Sequence, residues 1–207
     1  MRTHTKETQS NLTPDLALQF LKEGNQRFIN NLKANRNLLQ QVNETATGQF
    51  PFATILSCID SRTSAELIFD QGLGDVFSIR IAGNILNEDI LGSMEFACKV
   101  ANSKLLVILG HTKCGAIVGA CNNVDLGNLT TLLNKVKPAI QSETQTKTDR
   151  TGSNPEFVKN VTENNVHLTL KRVRQESNIL AEMEDAGQIK IIGALYDVEN
   201  GRVNFYE

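Results

Sequence analysis

The sequence predicts an α/β fold: a central, mostly parallel β-sheet flanked by helices, with an antiparallel C-terminal edge strand and an N-terminal helical arm. Three observations carry this expectation. Short apolar runs, FATILSC (52–58), VFSIRIAG (76–83) and KLLVILG (104–110), alternate with stretches of helical periodicity. The third run lacks any polar alternation, which is the pattern of a strand buried on both faces. Near the C-terminus, IKIIGALYDV and GRVNFYE flank Glu199-Asn200-Gly201, which reads as an antiparallel hairpin.

Taken in order, residues 1–13 are polar and predict a mobile tail, followed by a single domain over 14–207. Its N-terminal helical arm spans 14–45. Thr13-Pro14 supplies a cap and first turn for a helix from Asp15 to about Leu39. A helix in TSAELIFDQG closes near Gly72, and NEDILGSMEFACKVAN reads as an amphipathic helix of about four turns. Helices follow Cys114 and continue up to the region of Pro138. The stretch 141–155 is a polar loop, and a long helix or a broken pair of helices runs from Phe157 to Gly187. Strands separated by helices pair in parallel, and ligands bind beyond their carboxyl ends.

Composition narrows the function. The chain has 207 residues, with 21 Lys and Arg against 23 Asp and Glu, for a net charge of −2. This leaves no basic field to hold nucleic acid or an anionic membrane. No run approaches the roughly 20 apolar residues of a membrane span. The start lacks the apolar core of a secretory signal, so a cytoplasmic location is expected. In a reducing compartment the four cysteines, Cys58, Cys98, Cys114 and Cys121, do not predict a disulfide framework.

Two strand ends carry chemistry. The first runs into SCIDSR, with Cys58, Asp60 and Arg62, and the third into GHTKCG, with His111 and Cys114. If both strands are central and parallel, Cys58 and His111 leave the same edge of the sheet and Cys114 follows within a turn. Two thiolates and an imidazole suit Zn²⁺ and leave one tetrahedral position over, the catalytic arrangement. Zn²⁺ with two thiolates and a neutral imidazole sums to zero charge, so a metal-bound hydroxide near neutral pH needs help from its surroundings. Arg62 can hold the Asp60 carboxylate in a bidentate pair, keeping it ionised and off the metal. Asp60 can then accept a hydrogen bond from the zinc-bound hydroxide and aim it at an electrophile.

The pattern Cys-x-Asp-x-Arg, then His-x-x-Cys-Gly with His111 following Cys58 after 52 intervening residues, resembles the β-class carbonic anhydrases. The resemblance extends through GDVFSIRIAGN and IKIIGALYDVENGRV and covers roughly residues 15–206. It implies one zinc per subunit on Cys58, His111 and Cys114, an Asp60–Arg62 dyad, and reversible hydration of CO₂ to bicarbonate and a proton. It also implies substrate contacts from Gln49, Phe77 and the backbone N–H of Gly115. Homodimers or dimers of dimers are expected, with the N-terminal helix wrapped over the neighbour. Gln49 and the absence of tryptophan at Ile55 match the members whose dyad Asp stays off the zinc. Phe96 stands where many members have tyrosine, and no histidine is assignable as a proton shuttle.

Two other functions fit the same residues: hydrolysis of a CO₂ isostere such as carbonyl sulfide or carbon disulfide, and a non-catalytic zinc or thiol redox module. The DSR triplet argues against the second, which has no use for an ionised Asp beside an open metal position. Taken singly, each ligand reads as ordinary burial. Cys98 and Cys121 do read that way, His167 as surface, and His4 as part of the tail.

Overall fold

The computed structural model describes residues 3–206. Five strands form one sheet: β1 (Ala53–Ser57), β2 (Val76–Arg80), β3 (Leu105–His111), β4 (Lys190–Tyr196) and β5 (Val203–Tyr206), in the order β2-β1-β3-β4-β5. All pairs are parallel except β4–β5. Every residue of β1 and β3 is buried, as expected for central strands whose two faces are both covered.

Ten α-helices surround this sheet among the described residues: α1 (Lys6–Ser10), α2 (Pro14–Ile29), α3 (Leu38–Thr45), α4 (Ala65–Ile68), α5 (Glu88–Glu95), α6 (Gly115–Cys121), α7 (Gly127–Asn134), α8 (Lys137–Ser142), α9 (Pro155–Glu176) and α10 (Asn178–Asp185). α2 and α4 cover one face, where Leu18, Leu21 and Phe69 pack on Ile55, Val107 and Leu109. α5, α9 and α10 cover the other, where Met94, Val166 and Leu180 meet Leu56, Leu106 and Ile108. A third cluster, from α6, α7, α8 and the start of α9, closes the carboxyl end of the sheet.

α9 comes down close on the sheet because glycines lie beneath it. A Cβ on Gly110 would meet Val166 Cγ2 at 2.7 Å, and one on Gly193 would meet Val166 Cγ1 at 2.8 Å. Gly110→Ala is therefore expected to lower stability by about 1–3 kcal/mol through overpacking. Urea denaturation reads this directly, and an unchanged midpoint would mean α9 is not seated there.

Two expectations need correction. The segment expected as a mobile tail is docked over residues 3–13; Met1 and Arg2 lie outside the described residues. Thr5 and Thr8 form a capping box on α1, and the buried Gln9 donates Nε2–H to Pro51 O (2.7 Å) and Ala101 O (2.9 Å). His4 packs its ring on Phe20 and Phe52, and this burial holds its pKa below the usual histidine value. The helix expected to reach Leu39 stops at Asn30, with Asn31 left-handed at φ 55°. The stretch that follows has no apolar face to continue a helix; it is gathered by Asp70, which accepts from Arg27 Nε (2.5 Å), Arg36 Nη1 (2.6 Å) and Ala34 N (3.1 Å). α2 packs in its own chain's core, while α3 carries the exposed Leu38, Leu39 and Val42, Leu39 being 71% exposed.

The remaining elements follow the sequence. α5 continues as a π-helical turn through Phe96–Val100. The long C-terminal helix is broken at Ser177, whose hydroxyl caps α10. No described helix is long and apolar enough to cross a membrane.

Candidate metal centre

The strand register sets the site. Leu56 of β1 pairs with Ile108 of β3, so Cys58, just past β1, and His111, closing β3, emerge at the same carboxyl edge. The chain then turns through Lys113, left-handed at φ 55°, and Cys114 begins α6. The turn is braced from the hairpin. Thr112 N–H donates to Tyr196 O (2.9 Å), Thr112 Oγ1–H to Asp197 Oδ1 (3.3 Å), and Val198 N–H to Thr112 Oγ1 (3.0 Å).

Cys58, His111 and Cys114 are all buried, and their ligand atoms lie within 4.8 Å of one another. The two sulfurs are 3.9 Å apart. Two thiolates on one tetrahedral zinc, with Zn–S near 2.3 Å, would stand about 3.8 Å apart. His111 Nδ1 lies 2.9 Å from Thr112 O. A carbonyl oxygen only accepts, so Nδ1 carries the proton and Nε2 keeps its lone pair. That Nε2 is buried with no hydrogen-bond partner, a costly arrangement unless a cation takes it. The donor set and its spacing therefore fit a zinc ion held by three side chains.

The thiols respond to this closeness. Cys58 is drawn down chiefly by the Cys114 S–H, and also by the Gly83 N–H, which donates to its sulfur at 3.3 Å. Cys114 is pushed up because the thiolate of Cys58 sits beside it. The Cys114 S–H donates to the Cys58 sulfur across the 3.9 Å gap between them. Cys98 and Cys121 stand apart, pushed up to about 12 and about 11 by burial, and belong to the packing.

Asp60 is held in a fork. Its Oδ1 accepts from Arg62 N (3.0 Å) and Nε (2.9 Å), and its Oδ2 from Arg62 Nη2 (2.7 Å). The Arg62 hydrogen bonds hold this carboxyl well below the usual carboxylate range. Asp60 edges a cavity of about 390 Å³ that it and Cys58 and Gly115 share with an apolar wall including Ala116, Leu129 and Leu133.

The structure thus brings together Cys58, Asp60, Arg62, His111, Cys114 and Gly115. It does not bring Gln49 and Phe77 to them within one chain. Phe77 pairs with Thr54 in β1, four residues before Cys58, or about 13 Å back along the strand. Its ring meets Phe96 at 6.4 Å beside a separate cavity. Gln49 is exposed before β1, at the amino edge of the sheet. The length of β1 separates Gln49 from the ligands, and most of it separates Phe77.

Sequence reasoning missed Arg80. At the end of β2 it donates from Nε to Cys58 O (3.1 Å) and from Nη2 to Asp60 O (2.8 Å), fixing the loop that carries both. Its position at the tip of a strand adjacent to the first ligand was the available signal.

A buried Cys-His-Cys set at the carboxyl edge of a mostly parallel sheet, beside a fixed carboxylate and an apolar cavity, defines an α/β protein with a group of side chains that could bind a metal. Residues 53–203 match the family model for carbonic anhydrase. Carbonic anhydrase 2 of Mycobacterium tuberculosis is 34% identical over 200 residues, covering 93% of this chain and 92% of its own. The β-carbonic anhydrase CafA of Aspergillus fumigatus superposes with a TM-score of 0.69 at 29% identity, covering 93% of this chain and 90% of its own. A tetrameric β-carbonic anhydrase of Sordaria macrospora gives 0.68 at 24% identity, covering 80% and 89%. The chain belongs to the carbonic anhydrase family, in its β class.

Proposed function

We propose that this chain is a zinc lyase that interconverts CO₂ and water with bicarbonate and a proton, with one zinc per subunit on Cys58, His111 and Cys114. The observation that carries the reading is the pairing of an open, buried three-ligand set with a carboxylate whose two oxygens are gripped by Arg62. When bound, zinc supplies the positive charge that makes a water molecule acidic and nucleophilic near neutral pH. Asp60, ionised and fixed, accepts a hydrogen bond from that water and turns its lone pair toward the carbon of CO₂. Because Arg62 occupies both carboxylate oxygens, Asp60 stays off the metal. The apolar wall from α6 and α7 receives CO₂, and Gly115, which lines the same cavity, donates its N–H to a bicarbonate oxygen.

The same reading makes the working unit a homodimer or a dimer of dimers, located in the cytoplasm. β2 is an edge strand, and Phe96 beside Phe77 is 53% exposed. A second copy seated there would cover both rings and could receive Gln49 and Phe77 at its own metal centre. The four free thiols suit a reducing compartment.

The purified protein is expected to carry about one zinc per chain and to accelerate CO₂ hydration in stopped flow. A chelator should remove both properties and added zinc restore them. Zinc-loaded protein that leaves CO₂ hydration at the buffer rate would overturn the proposal.

A further inference from the structure

The geometry points to Asn165, on α9, as a positioning residue for the Cys58 sulfur, acting through the backbone of Gly83. Asn165 is 4% exposed, and its Nδ2–H donates to Gly83 O at 3.0 Å. Gly83 in turn donates its N–H to Cys58 Sγ at 3.3 Å. The two bonds lie on either side of one α-carbon, so a grip on the carbonyl fixes the rotation that aims the N–H.

The turn needs such a grip. Gly83 and Asn84 are consecutive left-handed residues, at φ 67° and 41°, and an isolated left-handed residue other than glycine costs roughly 1 kcal/mol. A Cβ added to Gly83 would meet Ala116 Cβ, in the first turn of α6, at 3.3 Å. The turn thus has the first turn of α6 close against its glycine and the amide of Asn165 on its carbonyl.

This bears on the metal, and so it rests on the zinc reading above. Two thiolates neutralise a divalent ion and weaken its pull on a bound water. An N–H directed at one sulfur draws charge from it and leaves the ion more electrophilic. Asn165 sets that correction from a helix that contributes no ligand.

The test uses the full-length protein loaded with Co²⁺ or ¹¹³Cd²⁺. In the wild type, the Gly83 amide proton should show scalar coupling to ¹¹³Cd through the N–H···S bond. In Asn165→Leu, and in Asn165→Asp, which trades the donor for an acceptor, that coupling should shrink. The thiolate-to-cobalt charge-transfer band should move to lower energy, and zinc affinity, measured by chelator competition, should fall about 10–100-fold. A wild type without coupling at Gly83 would overturn the inference even if neither variant folds. So would variants that melt earlier yet keep the wild-type band and coupling, because that is the signature of packing alone. A wild type that takes up neither ion would instead overturn the metal reading, and the two failures are thereby told apart.

Discussion

Cys114→Ala should yield a folded chain with less than about a tenth of the wild-type zinc and CO₂ hydration reduced at least about 1000-fold. The expectation rests on ligand count and burial. Changes to groups that merely support metal ligands cost about 10–100-fold in affinity or activity, and removing one of three ligands must cost more. The two remaining donors cannot close the gap, because the described Cys58, His111 and Cys114 form a group without a spare member. The fold itself should survive. Cys114 is a small buried side chain at the start of α6, and losing its sulfur leaves a modest cavity worth about 1 kcal/mol. Elemental analysis and stopped flow on the same sample decide the matter. Full zinc occupancy with wild-type turnover would remove Cys114 from the centre.

Asp60→Asn should behave in the opposite way toward the metal, keeping zinc at about one per chain while turnover falls about 100- to 1000-fold, the scale of a lost general base. The side chain stays the same size, but its NH₂ now faces the Arg62 donors that both carboxylate oxygens accept in the native protein. The pH behaviour follows from the Arg62 hydrogen bonds, which hold the native Asp60 carboxyl below its usual range. A depressed carboxylate contributes stability that is complete above the unfolded value of about 3.9 and is lost as pH falls below it toward the native value. Asp60 is therefore ionised across the neutral range, and any activity change between pH 6 and 9 comes from elsewhere. A variant retaining turnover within threefold would show that the dyad is an ordinary ion pair.

Much of this was readable in the chain. The uninterrupted apolar run of β3 could only be a central strand, and parallel pairing then required Cys58 and His111 to share an edge. The hairpin was marked by its Asn-Gly turn. What escaped was polar and tertiary. Gln9 sits in a stretch as hydrophilic as any tail, and only the carbonyls of Pro51 and Ala101 give it reason to be buried. Arg36 and Asp70 are far apart along the sequence, so nothing local reveals that their pairing gathers the stretch beyond α2. Asn165 lies in TENNVH, which reads as a solvated face until the Gly83 carbonyl beneath it is known. Gln49 and Phe77 illustrate a different limit. A motif fixes a residue's place along the chain, while the length of β1 decides how far that place is from the ligands.

The brace on Thr112 has a consequence for biogenesis. All three proposed metal ligands leave the ribosome well before Asp197 and Val198, which steady the turn between two of them. A nascent chain that has emerged only through Cys114 owns every donor atom yet lacks the support that holds them at working distances. On the proposed ligand set, a metal site in its final geometry would be complete only once the hairpin has arrived.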